Sequence, residues 1–265
     1  MTFETLSLSH AGGVATLTLN RPDAANAMNI KMAEELMKAA IQFDEDPSVR
    51  AVILTGAGSS MFCAGGDLAS FSAEGDRLPS VIKEMTTYLH AAISRFARMD
   101  APLIAAVNGT AAGAGFSLVL MADLVWSVGS AKFTLAYTRA GLVPDGSSTY
   151  YLSRIVGLRR AQELALTNRV LTAPEAENWG IVNRVVGDDD LMAEVGKLAA
   201  GLAVGPTGAY GEAKRLMNMG TQESLETQME LEARGIAGAA RGHDAQEGIR
   251  AFLEKRPAKF DGNKI

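Results

Sequence analysis

The sequence predicts an α/β protein built on a mostly parallel sheet, and three observations carry that reading. Short apolar runs recur along the chain up to Gly187: "VATLTL" at Val14–Leu19, "AVILT" at 51–55, "LIAAV" at Leu103–Val107, "DLVWSV" at 123–128 and "IVNRVV" at 181–186. Helical patterns separate most of these runs, and crossover connections of that kind pair strands in parallel and bury them. After Gly187 the strand signals stop, and 188–255 reads as helix after helix.

Taken in order, Val14–Leu19 alternates apolar and threonine residues and enters the turn-rich "NRPDAANAMN". Residues 30–43 have helical periodicity, and 51–55 form a short buried strand. "GAGSSMFCAGGDL" (56–68) is a glycine-rich loop leading into a polar segment through Pro79. A helix over 80–99 lines Ile82, Met85, Leu89, Ile93 and Phe96 on one stripe, with His90 beside that stripe. The strand at Leu103–Val107 leads through "NGTAAGAG" into a helix ending near Met121. The run at 123–128, a helix over 147–168 and the run at 181–186 complete the series. The polar tail "EKRPAKFDGNKI" is expected to lie across a surface.

A chain of 265 residues fits one core or one core with an appendage. Its net charge of −5 argues against nucleic acid as the main partner. Cys63 is the single cysteine, which excludes an intrachain disulfide and a cysteine zinc site. His10, His90 and His243 are far apart in sequence and form no HExxH pair, so no metal is expected. The first residues lack a signal-peptide pattern and no apolar run reaches membrane-spanning length. The expectation is a cytoplasmic protein without a membrane partner. Met28, Met32, Met37 and Met217 read as packing residues, Cys63 as a small buried one, and Asp188–Asp190 as a solvated turn.

The two glycine loops match neither GxGxxG nor GxxxxGK[ST], so phosphate-binding readings fail on spacing. Each follows a strand, and the second opens into a helix. Small residues there let main-chain N–H groups approach a ligand and stabilise negative charge on an oxygen; alternatively they only permit tight packing. Asp145, in "GLVPDGSSTY" (141–150), also has two readings. It is either the cap of the helix that follows or a catalytic acid/base.

Six stretches in order, "NRPDAANAMN", "FCAGGDL", "IAAVNGTAAGAG", "FTLAYTRAGLVPDGSSTYYLSRIVG", "LTNRVLTAPEAENWGIVNRVV" and "EGIRAFLEKRPAKF", resemble the crotonase (enoyl-CoA hydratase/isomerase) superfamily over essentially the whole chain. The resemblance implies a spiral of ββα units over 1–187 carrying an acyl-CoA site. It also implies a helical C-terminal region, 188–265, that trimerises and covers the active site. The expected partners are an acyl-CoA thioester and further copies of the chain, as a homotrimer or dimer of trimers. No cofactor is implied beyond coenzyme A as part of the substrate. Carried over by position, the oxyanion-binding N–H groups fall on Gly66 and Ala114, the latter a departure from the usual glycine. Adenine contacts fall on the loop holding Ala64, Gly65, Asp67 and Leu68. The acyl pocket is expected to draw its lining from 68–90 and from the C-terminal helices.

The two glutamates of the family's hydratases correspond here to Ser117 and Tyr137, neither of which can activate water as a carboxylate does. Hydratase activity is therefore disfavoured. With the resemblance in hand, Asp145 is read as catalytic. An aspartate at this place carries the chemistry in an isomerase branch, typified by "GLVPD", and in the 4-chlorobenzoyl-CoA dehalogenase branch, where it is a nucleophile. His90 corresponds to a dehalogenase histidine that helps water cleave the aryl-enzyme ester. Tyr137 stands where that enzyme has a tryptophan bonded to its aspartate. The expectation is an enoyl-CoA isomerase with Asp145 as proton shuttle. The alternatives are a hydrolytic dehalogenase and a crotonase-fold acyl-CoA-binding protein without chemistry.

Overall fold

The computed structural model describes residues 2–262. The chain opens with an antiparallel hairpin of β1 (Leu6–Ala11) and β2 (Val14–Leu19), followed by α1 (Ile30–Glu45). Asn29 starts that helix because its side chain accepts the N–H of Met32 at 2.9 Å. Its apolar face, which includes Met32, Leu36 and Phe43, is buried against a later helix, with Phe43 and Phe96 rings 6.5 Å apart.

Three turns then repeat one pattern: a strand of a larger sheet, a short strand of a smaller sheet, and helix. The first comprises β3 (Ala51–Gly56), β4 (Met61–Cys63), α2 (Leu68–Ser72) and α3 (Leu78–Phe96). The second comprises β5 (Leu103–Val107), β6 (Thr110–Ala112) and α4 (Ala114–Leu120). The third comprises β7 (Leu124–Val128), β8 (Lys132–Thr134), α5 (Ser148–Val156) and α6 (Leu158–Thr167). The pair β9 (Leu171–Thr172) and β10 (Arg184–Val186), joined through α7 (Ala173–Asn178), closes the spiral.

Among the described residues the strands form two sheets, ordered β1-β2-β3-β5-β7-β10 and β4-β6-β8-β9. Pairing is parallel except for β1–β2 and β8–β9. Every residue of β3 and β5 is buried, as expected of strands covered on both faces. The α/β spiral of ββα units is thus present. The smaller sheet was not legible beforehand, because its strands have three residues or fewer and carry no measurable period. The expected helix over 147–168 is two helices, broken at Gly157, whose φ of +81° no helix accommodates.

The remaining helices are α8 (Leu191–Ala203), α9 (Thr207–Met219), α10 (Leu225–Arg241) and α11 (His243–Leu253). The first of them packs on β2, β3, β5 and β7 and buries Leu191, Val195, Ala199 and Ala203, so it completes the core. Lys214 ties α9 to the spiral, donating to Asp123 at 2.7 Å and to the carbonyl of Phe96 at 3.1 Å. The tail is fastened by an Arg256–Glu247 pair and by Arg50, which donates to the Phe260 carbonyl. Met217 is three-quarters exposed in the single chain, which corrects the expectation that it is packed; Met28 and Met32 are fully buried. No helix among the described residues is long and apolar enough to cross a membrane.

Two asparagines fix the loops at the ends of the strands. Asn108 exchanges hydrogen bonds with both main-chain groups of Gly56 and donates to the Gly58 carbonyl. Asn26, fully buried with φ +53°, accepts the Arg21 N–H and donates to the carbonyls of Ala57 and Met61. Asn26→Ala removes the side-chain donor from two part-buried carbonyls, in a backbone conformation that alanine disfavours. It should cost roughly 2–4 kcal/mol in denaturant unfolding, and a loss under 1 kcal/mol would contradict this account of the loop.

Candidate active site

The site begins with the parallel pairing of β4 and β6, in which Met61 faces Thr110 and Cys63 faces Ala111. The turns that leave these two strands are therefore neighbours. Gly65, at φ +95°, lies so close to the second turn that a Cβ on it would sit 2.9 Å from the Ala112 carbonyl oxygen and 3.3 Å from the Ala114 nitrogen. Only glycine fits there, for both reasons at once.

Two free N–H groups result. Ala114 is the first residue of α4, so its N–H has no partner within the helix. The bridge between Met28 and Gly66 uses the Gly65 carbonyl and the Asp67 N–H, which leaves the Gly66 N–H unspent. Gly66 and Ala114 both border one cavity of about 270 Å³. Its walls are largely apolar, with Phe71, Ile82, Met85 and Leu142 among them, and Asp145 is its one carboxylate among the described residues. Its lining runs only from 64 to 145. The C-terminal helices do not reach it within one chain, a correction to the expected lining.

The structure rejects Asp145 as a helix cap. Ser147 occupies the N-cap position of α5, and no side chain caps that helix. Instead, Asp145 Oδ1 accepts the hydroxyl of Tyr137 at 2.6 Å. Burial, followed by the adjacent Asp145 charge and this hydrogen bond, pushes the Tyr137 hydroxyl far above the ordinary phenol range, so it remains a donor. The Tyr137 oxygen is also 3.0 Å from Ser117 Oγ. His90 Nε2 lies 3.6 Å from Asp145 Oδ2 and accepts the Gly146 N–H at 3.3 Å. Ser117, Tyr137, His90 and Asp145 thus meet in space although they span 28 and 55 positions of sequence, from Ser117 and His90 respectively to Asp145.

The 64–68 loop is divided in its uses. Ala64, Gly66 and Leu68 face the cavity, whereas Gly65 packs against the second turn. The Asp67 carboxylate is turned away, pairing with Arg21 at 2.9 Å and accepting the Ser70 N–H at 3.1 Å to cap α2. Burial raises the cost of its charge, but the Ser70 and Arg21 donors outweigh this and hold Asp67 below the usual carboxylate range. Cys63 is fully buried, and burial pushes its thiol up to about 11, which removes it as a nucleophile. Ser117 entered the sequence reading only as a missing glutamate; its position four residues after Gly113 was the available signal.

The family model for enoyl-CoA hydratase/isomerase matches residues 9–263. The chain belongs to the enoyl-CoA hydratase/isomerase family. A 1,2-epoxyphenylacetyl-CoA isomerase of Escherichia coli (strain K12) is 39% identical over 257 residues, covering 96% of this chain and 98% of the relative. A 4-chlorobenzoyl coenzyme A dehalogenase-2 of Arthrobacter sp is 39% identical over 239 residues, covering 90% and 86%. Among solved structures, an enoyl-CoA hydratase from Polaromonas sp. JS666 superposes with a TM-score of 0.92 at 31% identity, covering 96% of this chain and 99% of that one. Members with three different reaction names therefore share this architecture, and the side chains around the cavity must separate them.

Two main-chain donors at the rim of an apolar cavity are suited to stabilise an oxygen that gains charge. Position 114 allows one donor to be deleted selectively, because proline is tolerated at the first residue of a helix. Ala114→Pro should lower kcat by roughly 10²–10³-fold with α4 and overall stability retained. Unchanged turnover in a folded variant would remove the Ala114 N–H from the chemistry.

Proposed function

We propose that the protein is an acyl-CoA isomerase that moves a double bond within an enoyl thioester. The observation that carries this reading is a single carboxylate, Asp145, bordering the same apolar cavity as the N–H groups of Gly66 and Ala114. The thioester oxygen accepts from those two N–H groups, which stabilises a dienolate. Asp145 takes a proton from one carbon of the allylic system and returns it to another, so one base suffices. Oδ1 is engaged by Tyr137, and His90 Nε2, at 3.6 Å, is beyond hydrogen-bond reach of Oδ2. Oδ2 is therefore the oxygen left free to carry the proton. Ser117 and Tyr137 supply no carboxylate to activate water, which argues against hydration. The reaction needs no metal or redox cofactor, and coenzyme A enters as part of the substrate, with Ala64 and Leu68 at the mouth of the cavity available to it.

A second reading is favoured by one distance, the 3.6 Å between His90 Nε2 and Asp145 Oδ2. If Asp145 attacks an aryl-CoA, His90 stands where a water that cleaves the ester would need a base. Turnover of enoyl-CoA in heavy water separates the readings. The isomerase reading expects a shifted double bond, deuterium in the product, little hydration of crotonyl-CoA, and loss of turnover by at least 10³-fold in Asp145→Asn with binding kept. Halide release from an aryl-CoA, with solvent oxygen-18 entering the Asp145 carboxylate, would overturn it in favour of the dehalogenase. Binding without turnover of any acyl-CoA would leave a binding protein.

The assembly we infer is a homotrimer or dimer of trimers. Leu225, Met229 and Ile236 on α10, with Met217 on α9, are each at least half exposed in the single chain, and such a continuous apolar face marks an interface. Sedimentation at micromolar concentration should give three or six chains, and a monomer would sink this assignment.

A further inference from the structure

Ser117 is fully buried, yet its hydroxyl oxygen meets three acceptors: Asp145 O at 2.9 Å, the Tyr137 oxygen at 3.0 Å and Gly113 O at 3.3 Å. Each belongs to a different part of the site. Gly113 precedes the Ala114 donor, Tyr137 binds the Asp145 carboxylate, and Asp145 O belongs to the loop that carries that carboxylate. The loop itself lies directly on Ser117, since a Cβ on Gly146, at φ +57°, would come within 2.9 Å of Ser117 Cβ.

We propose that Ser117 is a positioning residue, whose buried hydroxyl keeps Tyr137 donating to Asp145. A serine hydroxyl has one proton for these three acceptors. The other two already have donors: Gly113 O receives the Ser117 N–H, and Asp145 O receives both the N–H and the hydroxyl of Ser148. The Tyr137 proton is committed to the ionised carboxylate, so across the Ser117–Tyr137 contact the serine is the donor. The resulting chain, Ser117 to Tyr137 to Asp145, strengthens the last bond by polarisation. When Asp145 carries the substrate's proton, its pull on Tyr137 weakens and the Ser117 hydroxyl can turn to Asp145 O, 2.9 Å away. The hydroxyl thus follows the charge of the base, with no net proton transfer.

The turnover arm of the test rests on the isomerase reading, while a spectroscopic arm does not. Ser117→Ala should lower kcat about tenfold, the size expected for one buried hydrogen bond, while KM stays within about twofold. Ser117→Cys keeps a weak donor and should fall between wild type and Ser117→Ala. Adding Ser117→Ala to Tyr137→Phe should change kcat by less than about twofold, because the serine acts through the tyrosine. Without substrate, the infrared band of the Asp145 carboxylate, identified by its loss in Asp145→Asn, should move in the same direction in Ser117→Ala and Tyr137→Phe. The titratable groups beside that carboxylate are Tyr137 and His90, so the comparison is made at one neutral pH in all variants. Additive kinetic effects, or a band unmoved by Ser117→Ala, would overturn the proposal. A wild-type protein that isomerises nothing would instead overturn the reaction assignment, and the infrared comparison would still decide the role of Ser117.

Discussion

The site depends on the close approach of two turns, the one after β4 and the one after β6. Two three-residue strands paired in parallel bring the turns together, and Gly65 allows main chain to touch main chain. An N–H that must serve a ligand has to be both uncommitted and immobile. Here the Gly66 N–H is left over from a bridge to Met28, and the Ala114 N–H from the start of a helix. Asn26 and Asn108 hold the flanking loops by their carbonyls and so supply the immobility. Main-chain donors placed on two turns some fifty residues apart in sequence depend on the backbone geometry of both.

The parts of this arrangement that were legible in sequence are those with a period or a fixed spacing. The apolar runs that became β2, β3, β5 and β7 and the stripe of α3 were readable because burial imposes a repeat over five or more residues. The smaller sheet offered no such repeat, although its strands lead into both turns that present uncommitted N–H groups to the cavity. Gly157 looked like one glycine within a helical pattern, and only its positive φ reveals the break between α5 and α6. For the site, motif position brought Gly66, Ala114, His90, Tyr137 and Asp145 forward together; four of them border one cavity, and His90 lies outside its lining, 3.6 Å from Asp145 Oδ2. Asp67 shows the limit of that reasoning: position in a loop says which segment is near a ligand, but the direction of its side chain is set by Arg21 and the Ser70 N–H.

Ser117 marks a different limit, since an absent glutamate looks in sequence like a loss of function. In space the small side chain admits something else. Gly146 rests on Ser117 with no room for even a methyl group between them, and the same loop carries Asp145 to the cavity. A side chain at 146 and the present position of Ser117 exclude one another sterically. Ser117 and the loop that carries Asp145 are thus in contact, and the cavity takes its one carboxylate among the described residues from the loop side.

The electrostatic consequences follow from how few charges remain. In a largely apolar cavity an ionised carboxylate is costly unless it is hydrogen-bonded, and Tyr137 supplies a donor whose own proton is held firmly by burial and by the charge it faces. That donor occupies Oδ1 alone. His90, with its Nε2 lone pair turned to the Gly146 N–H, adds bulk and polarity beside Oδ2 without quenching it. The asymmetry leaves one oxygen stabilising the charge and the other available for proton transfer, a division that a symmetric double hydrogen bond would abolish. In the proposed reaction, the main-chain donors and a base with one free oxygen would confine the moving charge to two places, the thioester oxygen and Oδ2.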